Sequence, residues 1–276
     1  MRRKINELIS LNAISHFRYL PRIVFKIKNW PSFLLNYIGL KAEPPVYILR
    51  NGTKIKTKDS LSAVTIAVVF IKKDYGSIND NSVVIDIGAN IGVYSIFAAQ
   101  SKNTIVYAYE PMVDNFNLLR ENIKLNKLEK NIFPFNLAVG ARKEKRKLYL
   151  GGSPFHSFYP INKSPFNRLY GNYFKEKNQK YTEVNSISLK DIFKENKIDQ
   201  CDILKMDCEG AEFEILYNLP DEYFKKIKKI RLEYHNHLAN KENSGDYLIK
   251  FLEQKGFKVK RFKKGSDYQG DLWFEM

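Results

Sequence analysis

Asp86 and Glu110 are the pair of acids on which ligand chemistry can be built. Asp86 follows the β-branched run Val83-Val84-Ile85 and opens Asp86-Ile87-Gly88-Ala89-Asn90-Ile91-Gly92, after which an apolar helix runs to about Gln100. Gly88 and Gly92 remove side chains where the chain turns sharply or a ligand approaches the backbone. Asn90 stands where many such loops carry a middle glycine, and Asn is among the residues least penalised at positive φ. A second strand, Thr104–Tyr109, ends at Glu110-Pro111. An ionised carboxylate there is acceptor-only and can receive both ribose hydroxyls of a nucleoside. A dinucleotide fingerprint would need glycine at 88, 90 and 93, and the chain has Gly88, Asn90 and Val93, so NAD is disfavoured. Singly, each acid also reads as a turn or strand-end residue; together, at this spacing, they predict a ligand site.

Two further groups carry chemistry. Asp207 and Glu209 sit at a strand-to-helix turn, where they can orient a substrate hydroxyl or a cofactor amino group and share a general-base role. The alternative is a turn acid beside a helix-capping one. Glu233 and His235 fall on one face of a strand by period-two alternation. A carboxylate beside an imidazole can activate a hydroxyl, although a lone buried histidine is also a common structural residue. His156 lies in the long segment 151–180 and is placed to touch substrate or simply to sit in a loop. The catalytic candidates are therefore Asp207, Glu209, His235 and His156. Cys208 reads as a packing residue. Nucleophile triad, zinc spacing and phosphate-loop ending are all missing, and no metal site is expected.

The elements that must position these residues alternate along the chain. A hairpin over 46–50 and 53–57 turns at Asn51-Gly52, and a helix over 60–75 is capped by Asp59 or Ser60. Beyond the central motif come a helix over 113–126, a strand over 132–137, a charged turn over 142–147 and a strand over 148–150. Residues 151–180, rich in Gly, Pro, Asn and aromatics, form a thirty-residue segment of the kind that is either a functional lid, here for substrate, or disordered. Strands over 181–187, 202–206 and 227–235 then alternate with helices over 189–196, 209–218 and 246–255, and a hairpin over 257–263 and 270–275 closes the chain. The pattern predicts an α/β fold with a mostly parallel twisted sheet and one antiparallel C-terminal strand. Ligands of such sheets bind at strand carboxyl ends, where Asp86, Glu110, Asn136, Asp207 and Glu233–His235 all fall.

Residues 1–45 form a basic, aromatic-rich helical extension ahead of a domain over 46–276. Its apolar positions, among them Ile23, Phe25, Ile27, Trp30 and Phe33, fit either an interfacial helix pair on an anionic membrane or a face packed against protein. Across 276 residues the net charge is +16 and the pI about 9.5. That excess favours polyanionic partners such as nucleic acid, an anionic membrane or acidic glycans, or reflects a general lysine bias. Two cysteines exclude a disulfide framework. With no apolar run of about 18–20 residues, and with polar residues interrupting the N-terminal stretch, a cytoplasmic or peripheral membrane location is expected.

Three separated segments carry a family resemblance: Val84-Ile85-Asp86-Ile87-Gly88-Ala89-Asn90-Ile91-Gly92, Tyr107-Ala108-Tyr109-Glu110-Pro111, and Lys205-Met206-Asp207-Cys208-Glu209-Gly210-Ala211-Glu212. With Glu233-x-His235 and Asp271-Leu272-Trp273-Phe274, the chain from about residue 46 resembles the FkbM family of S-adenosylmethionine-dependent methyltransferases. The resemblance implies the class I Rossmann-like methyltransferase fold and methyl transfer from S-adenosylmethionine, usually to oxygen. It further implies that Asp86, Gly88, Ala89, Asn90 and Gly92 line the methionine part, that Glu110 (with Pro111) holds the ribose, and that Asn136, Leu137 and Ala138 flank the adenine. Cys208 replaces an aliphatic residue, and Asn136 an acid that many methyltransferases place near the adenine.

Methyl transfer from a sulfonium is an in-line displacement that needs positioning more than acid–base machinery. The first reading is O-methylation of a sugar hydroxyl on a glycan, glycolipid or small metabolite. A second is a nucleic-acid (RNA) methyltransferase, which the charge favours and the lack of an Asn/Asp-Pro-Pro-aromatic motif opposes. A third is a non-catalytic S-adenosylmethionine-binding module. Oligomeric state is not fixed by these features.

Overall fold

A computed structural model describes residues 19–37, 46–151, 156–160, 180–237, 240–266 and 268–276. The first eighteen residues of the extension, residues 38–45, and most of the expected lid (152–155 and 161–179) lie outside the described residues.

Pro21 falls in the first turn of α1 (Leu20–Lys26), where a missing N–H costs nothing. Helix α2 (Trp30–Tyr37) follows. Ile23, Ile27, Phe33 and Tyr37 are buried in one apolar cluster with Tyr47, Ile55 and Ile66, and the Phe33 and Tyr47 rings meet edge-on at 5.0 Å. For residues 19–37 the apolar face is therefore covered by protein, while Phe25 stays 82% exposed. Strands β1 (Val46–Ile48) and β2 (Lys54–Lys56) pair antiparallel around Asn51-Gly52, with Gly52 at φ +94°. The helix expected over 60–75 is divided. Helix α3 (Ser60–Ile66) is capped by Asp59, whose carboxylate accepts the Ser62 N–H at 3.0 Å, and then widens into a π-helix, Ala67–Lys72. Lys73 ends it in the left-handed region at φ 58°.

The central unit runs β3 (Val83–Ile87), α4 (Val93–Ala98), β4 (Ile105–Tyr109), α5 (Val113–Leu125) and β5 (Ile132–Phe135). After it come β6 (Ala138–Gly140), β7 (Glu144–Leu150), β8 (His156–Ser157), β9 (Tyr181–Ser188), α6 (Leu189–Glu195) and β10 (Ile203–Met206). The chain ends with α7 (Glu212–Tyr217), α8 (Asp221–Phe224), β11 (Lys229–His235), α9 (Gly245–Gln254), β12 (Lys258–Lys264) and β13 (Gln269–Glu275).

Among the described residues, seven strands make the main sheet, in the order β12-β13-β11-β10-β3-β4-β5. Every pairing is parallel except those of β13, which runs antiparallel to both neighbours. Ile85, Ile87 and Leu204 enter one apolar cluster, Val84, Val106 and Ile203 the other, so the central strands are buried on both faces.

The sequence did not predict a second sheet, ordered β6-β9-β7-β8. Strand β7 begins inside the expected turn over 142–147, because Glu144 and Arg146 alternate half-buried with exposed Lys145 and Lys147. Arg146 pairs with Glu214 and stands 3.7 Å over the Phe158 ring. Strand β8 falls inside the expected lid and pairs with the end of β7 through Leu150 and His156. Among the described residues, no helix is long and apolar enough to cross a membrane.

Candidate active site

The carboxyl ends of β3, β4, β10 and β11 border a cavity of about 250 Å³, close to the lower end of the roughly 300–1,000 Å³ typical of small-molecule sites. Gly88, Ala89, Asn90, Glu110, Pro111 and Ala138 line one part of it. Asp207, Glu209, His235 and His156, the four catalytic candidates, line another.

Glu110 organises the cavity wall at the end of β4. Its Oε2 accepts the Asn90 N–H at 2.9 Å, and its Oε1 accepts the Met112 N–H at 2.9 Å and the Asn115 side-chain amide at 3.2 Å. A carboxylate offers about four lone-pair directions, so acceptor capacity remains for a ligand's hydroxyls. Burial pushes the Glu110 carboxyl above its ordinary value, and these three hydrogen bonds oppose the shift. Asn90 takes the left-handed conformation expected of it, at φ 50°. Its Oδ1 is buried in the cavity wall without a hydrogen-bond partner, an acceptor available to a ligand's N–H or O–H. Gly88 has a steric reason: a Cβ there would lie 1.9 Å from the Asp207 carbonyl oxygen, at φ +74°.

Other expected cofactor residues stand behind the wall. Strand alternation turns Asp86 to the face covered by α4, where it is fully buried, accepts the Ser95 hydroxyl at 2.6 Å and lies 3.1 Å from Lys205 Nζ. Gly92 faces Leu119, whose Cδ1 would sit 2.4 Å from an added Cβ. The Asn136 amide donates to the carbonyls of Glu110 and Pro111, both at 3.0 Å, and Leu137 packs against the apolar cluster. Neither Asn136 nor Leu137 borders the cavity; Ala138 does.

The acidic end departs from a simple strand-to-helix turn. Glu209 (φ 55°) and Gly210 (φ 102°) are both left-handed, so α7 starts only at Glu212 and Glu209 is not a residue of that helix. Glu212 turns back instead: its Oε1 accepts the Cys208 N–H and its Oε2 the Gly210 N–H, each at 2.9 Å. The same carboxylate lies 3.5 Å from His235 Nδ1, and Glu233 Oε1 lies 3.6 Å from His235 Nε2. Burial alone would lower the His235 pKa, but the carboxylates of Glu209, Glu212 and Glu233 hold it well above its ordinary value. Burial, then the neighbouring Glu233, pushes Asp207 up to about 7. Ser157 Oγ donates to the Glu209 carbonyl at 2.6 Å, which fixes β8 and hence His156 against this turn. Burial, with Lys58 adding to it, pushes His156 down to about 4.

Three residues without a sequence-assigned role complete the wall or its support. Lys205 Nζ donates to the Gly88 carbonyl at 2.9 Å, and a lone lysine in the apolar strand Ile203-Leu204-Lys205-Met206 was its available signal. The Tyr75 hydroxyl donates to Asp207 Oδ2 at 3.1 Å, which no local pattern announces. Glu212 lies within the quoted motif, and only the fold shows which way it points.

The Methyltransferase FkbM domain profile matches residues 86–259. AMB antimetabolite synthetase AmbE of Pseudomonas aeruginosa is 25% identical over 203 residues, 65% of this chain, which spans 10% of that protein's length. Methyltransferase sdnD of Sordaria araneosa is 25% identical over 211 residues, 68% of this chain and 78% of sdnD. The 31-O-demethyl-FK506 methyltransferase FkbM of Streptomyces tacrolimicus is 25% identical over 170 residues, 56% of this chain and 65% of that one. A shorter stretch of 57 residues, 21% of this chain, is 42% identical to 12% of a tRNA (guanine(37)-N(1))-methyltransferase of Batrachochytrium dendrobatidis. With its profile spanning more than half of the sequence, the chain belongs to the FkbM domain family of S-adenosylmethionine-dependent methyltransferases.

Proposed function

We propose that the cavity binds S-adenosylmethionine with its nucleoside at Glu110 and passes the methyl group to a hydroxyl oxygen held at the acidic end. The observation that carries this is that one cavity is lined both by Glu110, a buried carboxylate accepting three hydrogen bonds, and by Asp207, Glu209, Glu233 and His235. Gly88, Ala89 and Asn90 would border the methionine part, and Pro111 and Ala138 the adenine. S-adenosylmethionine supplies an electrophilic methyl on a cationic sulfur; a hydroxyl oxygen forms the new C–O bond as the C–S pair returns to sulfur. The hydroxyl proton passes to Glu209, whose buried Oε2 has no hydrogen-bond donor on it. Positioning supplies most of the acceleration in such a displacement.

An oxygen acceptor agrees with the name of the Streptomyces relative, and a sugar hydroxyl of a glycan, glycolipid or small metabolite is the acceptor class we favour. The net charge of +16 and the short match to a tRNA methyltransferase favour a second reading, methylation of RNA. Radiolabelled methyl transfer from S-adenosylmethionine to a panel of glycosides, glycolipids and tRNA decides between them. Turnover of a glycoside with little dependence on salt supports the first reading; turnover of tRNA alone, with affinity falling steeply as salt rises, overturns it.

A further inference from the structure

A group at the acidic end has more negative charge than its neighbours balance. One ligand atom from each of Asp207, Glu233 and His235 falls within 4.8 Å of the others. Bonds of about 2.0–2.4 Å put two ligands of a single ion at most about 4–5 Å apart, so these three atoms can share one cation. They come from the end of β10 and the end of β11, adjacent parallel strands, and all three border the cavity.

The surroundings resemble the support of a metal ligand. His235 has its Nε2 toward Glu233 and its Nδ1 toward Glu212, a carboxylate itself fixed by two backbone N–H groups. A histidine that ligates a metal through one ring nitrogen commonly has a carboxylate at the other. The Gln269 amide donates to Glu233, and the Tyr75 hydroxyl to Asp207, so each carboxylate is oriented by a donor.

An independent observation points to a cationic guest. Glu209 is 9% exposed, borders the same cavity, and its Oε2 is buried with no hydrogen-bond donor. His237 Nε2 lies 3.7 Å from that oxygen. Asp207, Glu209, Glu212 and Glu233 thus share His235, His237 and Lys205, and Lys205 is already paired with Asp86. An excess of buried carboxylates is costly unless a proton or a cation enters, and a cation relieves several of them at once.

We propose that Asp207, Glu233 and His235 bind a divalent cation whose open positions face the cavity and take an oxygen of the methyl acceptor. Two carboxylates and one imidazole suit Mn²⁺, Fe²⁺, Zn²⁺ or Mg²⁺. The ion lowers the pKa of a bound hydroxyl, and an acceptor with two adjacent oxygens fills two positions at once. Its role in transfer rests on the proposed function above; its binding does not. Glu209 remains the acceptor of the released proton.

Calorimetric and electron-paramagnetic-resonance titrations with Mn²⁺ on the full chain, after chelation and without any donor, test the site. One saturable Mn²⁺ per chain is expected, weakened at least 10-fold in Glu233→Gln and in His235→Asn and unchanged in Glu110→Gln. A crystal soaked in Mn²⁺ should show an anomalous peak between Asp207, Glu233 and His235. No saturable binding to the wild-type chain, equal affinity in folded variants, or a peak elsewhere overturns the proposal. S-adenosylhomocysteine titrated into the chelated protein checks the donor site separately: its failure there would sink the donor assignment, not the cation site.

Discussion

Glu110 accepts the Asn90 backbone N–H at 2.9 Å, so the residue that ends the second strand of the central unit also fixes the turn after the first. Both sides of the proposed nucleoside site depend on that one carboxylate. Glu110→Gln keeps the shape but removes the charge and replaces one acceptor oxygen by a donor. Hydrogen bonds to a charged group contribute about 1.5–3 kcal/mol, so S-adenosylhomocysteine affinity should fall about 10- to 150-fold by calorimetry. Unchanged affinity in a folded variant would refute the ribose assignment.

Gly88 tests the approach of two backbones. An alanine Cβ would overlap the Asp207 carbonyl, 1.9 Å away, in a conformation that already disfavours side chains. Gly88→Ala should lose about 2–3 kcal/mol, or roughly 5–10 °C in Tm for a domain of this size, in a thermal melt. A Tm within 1 °C of wild type (a shift of ~0.3 kcal/mol or less) would show that the turn relaxes freely.

Lys205 and Asp86 form an ion pair that is 4% and 0% exposed. Removing one member leaves the other buried without its counter-charge, at a cost of about 3–5 kcal/mol. Lys205→Met should therefore destabilise strongly in urea unfolding, and Lys205→Met with Asp86→Asn should recover part of the loss. Additive single losses would show that the two charges do not support one another.

His156 should stay neutral well below the usual histidine range. Its imidazole signal in NMR is expected to titrate near pH 4, because burial, aided by Lys58, disfavours the cation. In the unfolded chain it takes up a proton near its ordinary pKa of about 6.5. Between those values the unfolded state binds the extra proton, so stability is full above pH 6.5 and falls as pH drops toward 4. His156→Gln should flatten that part of the Tm–pH curve, and a midpoint near 6.5 in the folded protein would contradict the burial argument.

The main sheet was legible because its central strands are short apolar runs, and strand ends collected Glu110, Asp207, Glu209 and His235 as expected. Asp86 lies beneath the cavity wall because its carboxylate is taken up by the Ser95 hydroxyl and by Lys205, a partner on the neighbouring strand that the local motif does not reveal. The start of β7 was hidden because Glu144-Lys145-Arg146-Lys147 has the charge of a turn, and only the pairing of Arg146 with Glu214 shows its inward face. Glu212 and Tyr75 were beyond sequence reasoning for another cause. Their partners, Cys208 and Gly210 for one and Asp207 for the other, are chosen by how the loops fold back.

The π-helix over Ala67–Lys72 gives the segment a spacing rule as well as a shape. A π turn holds one residue more than an α turn, and each residue of an ordinary helix advances the chain by about 100°. Shortening this segment by a single residue would restore the tighter pitch and swing Tyr75, three residues past its end, away from the Asp207 carboxylate it now reaches. Residue count there, rather than side-chain choice, sets where the phenol lands.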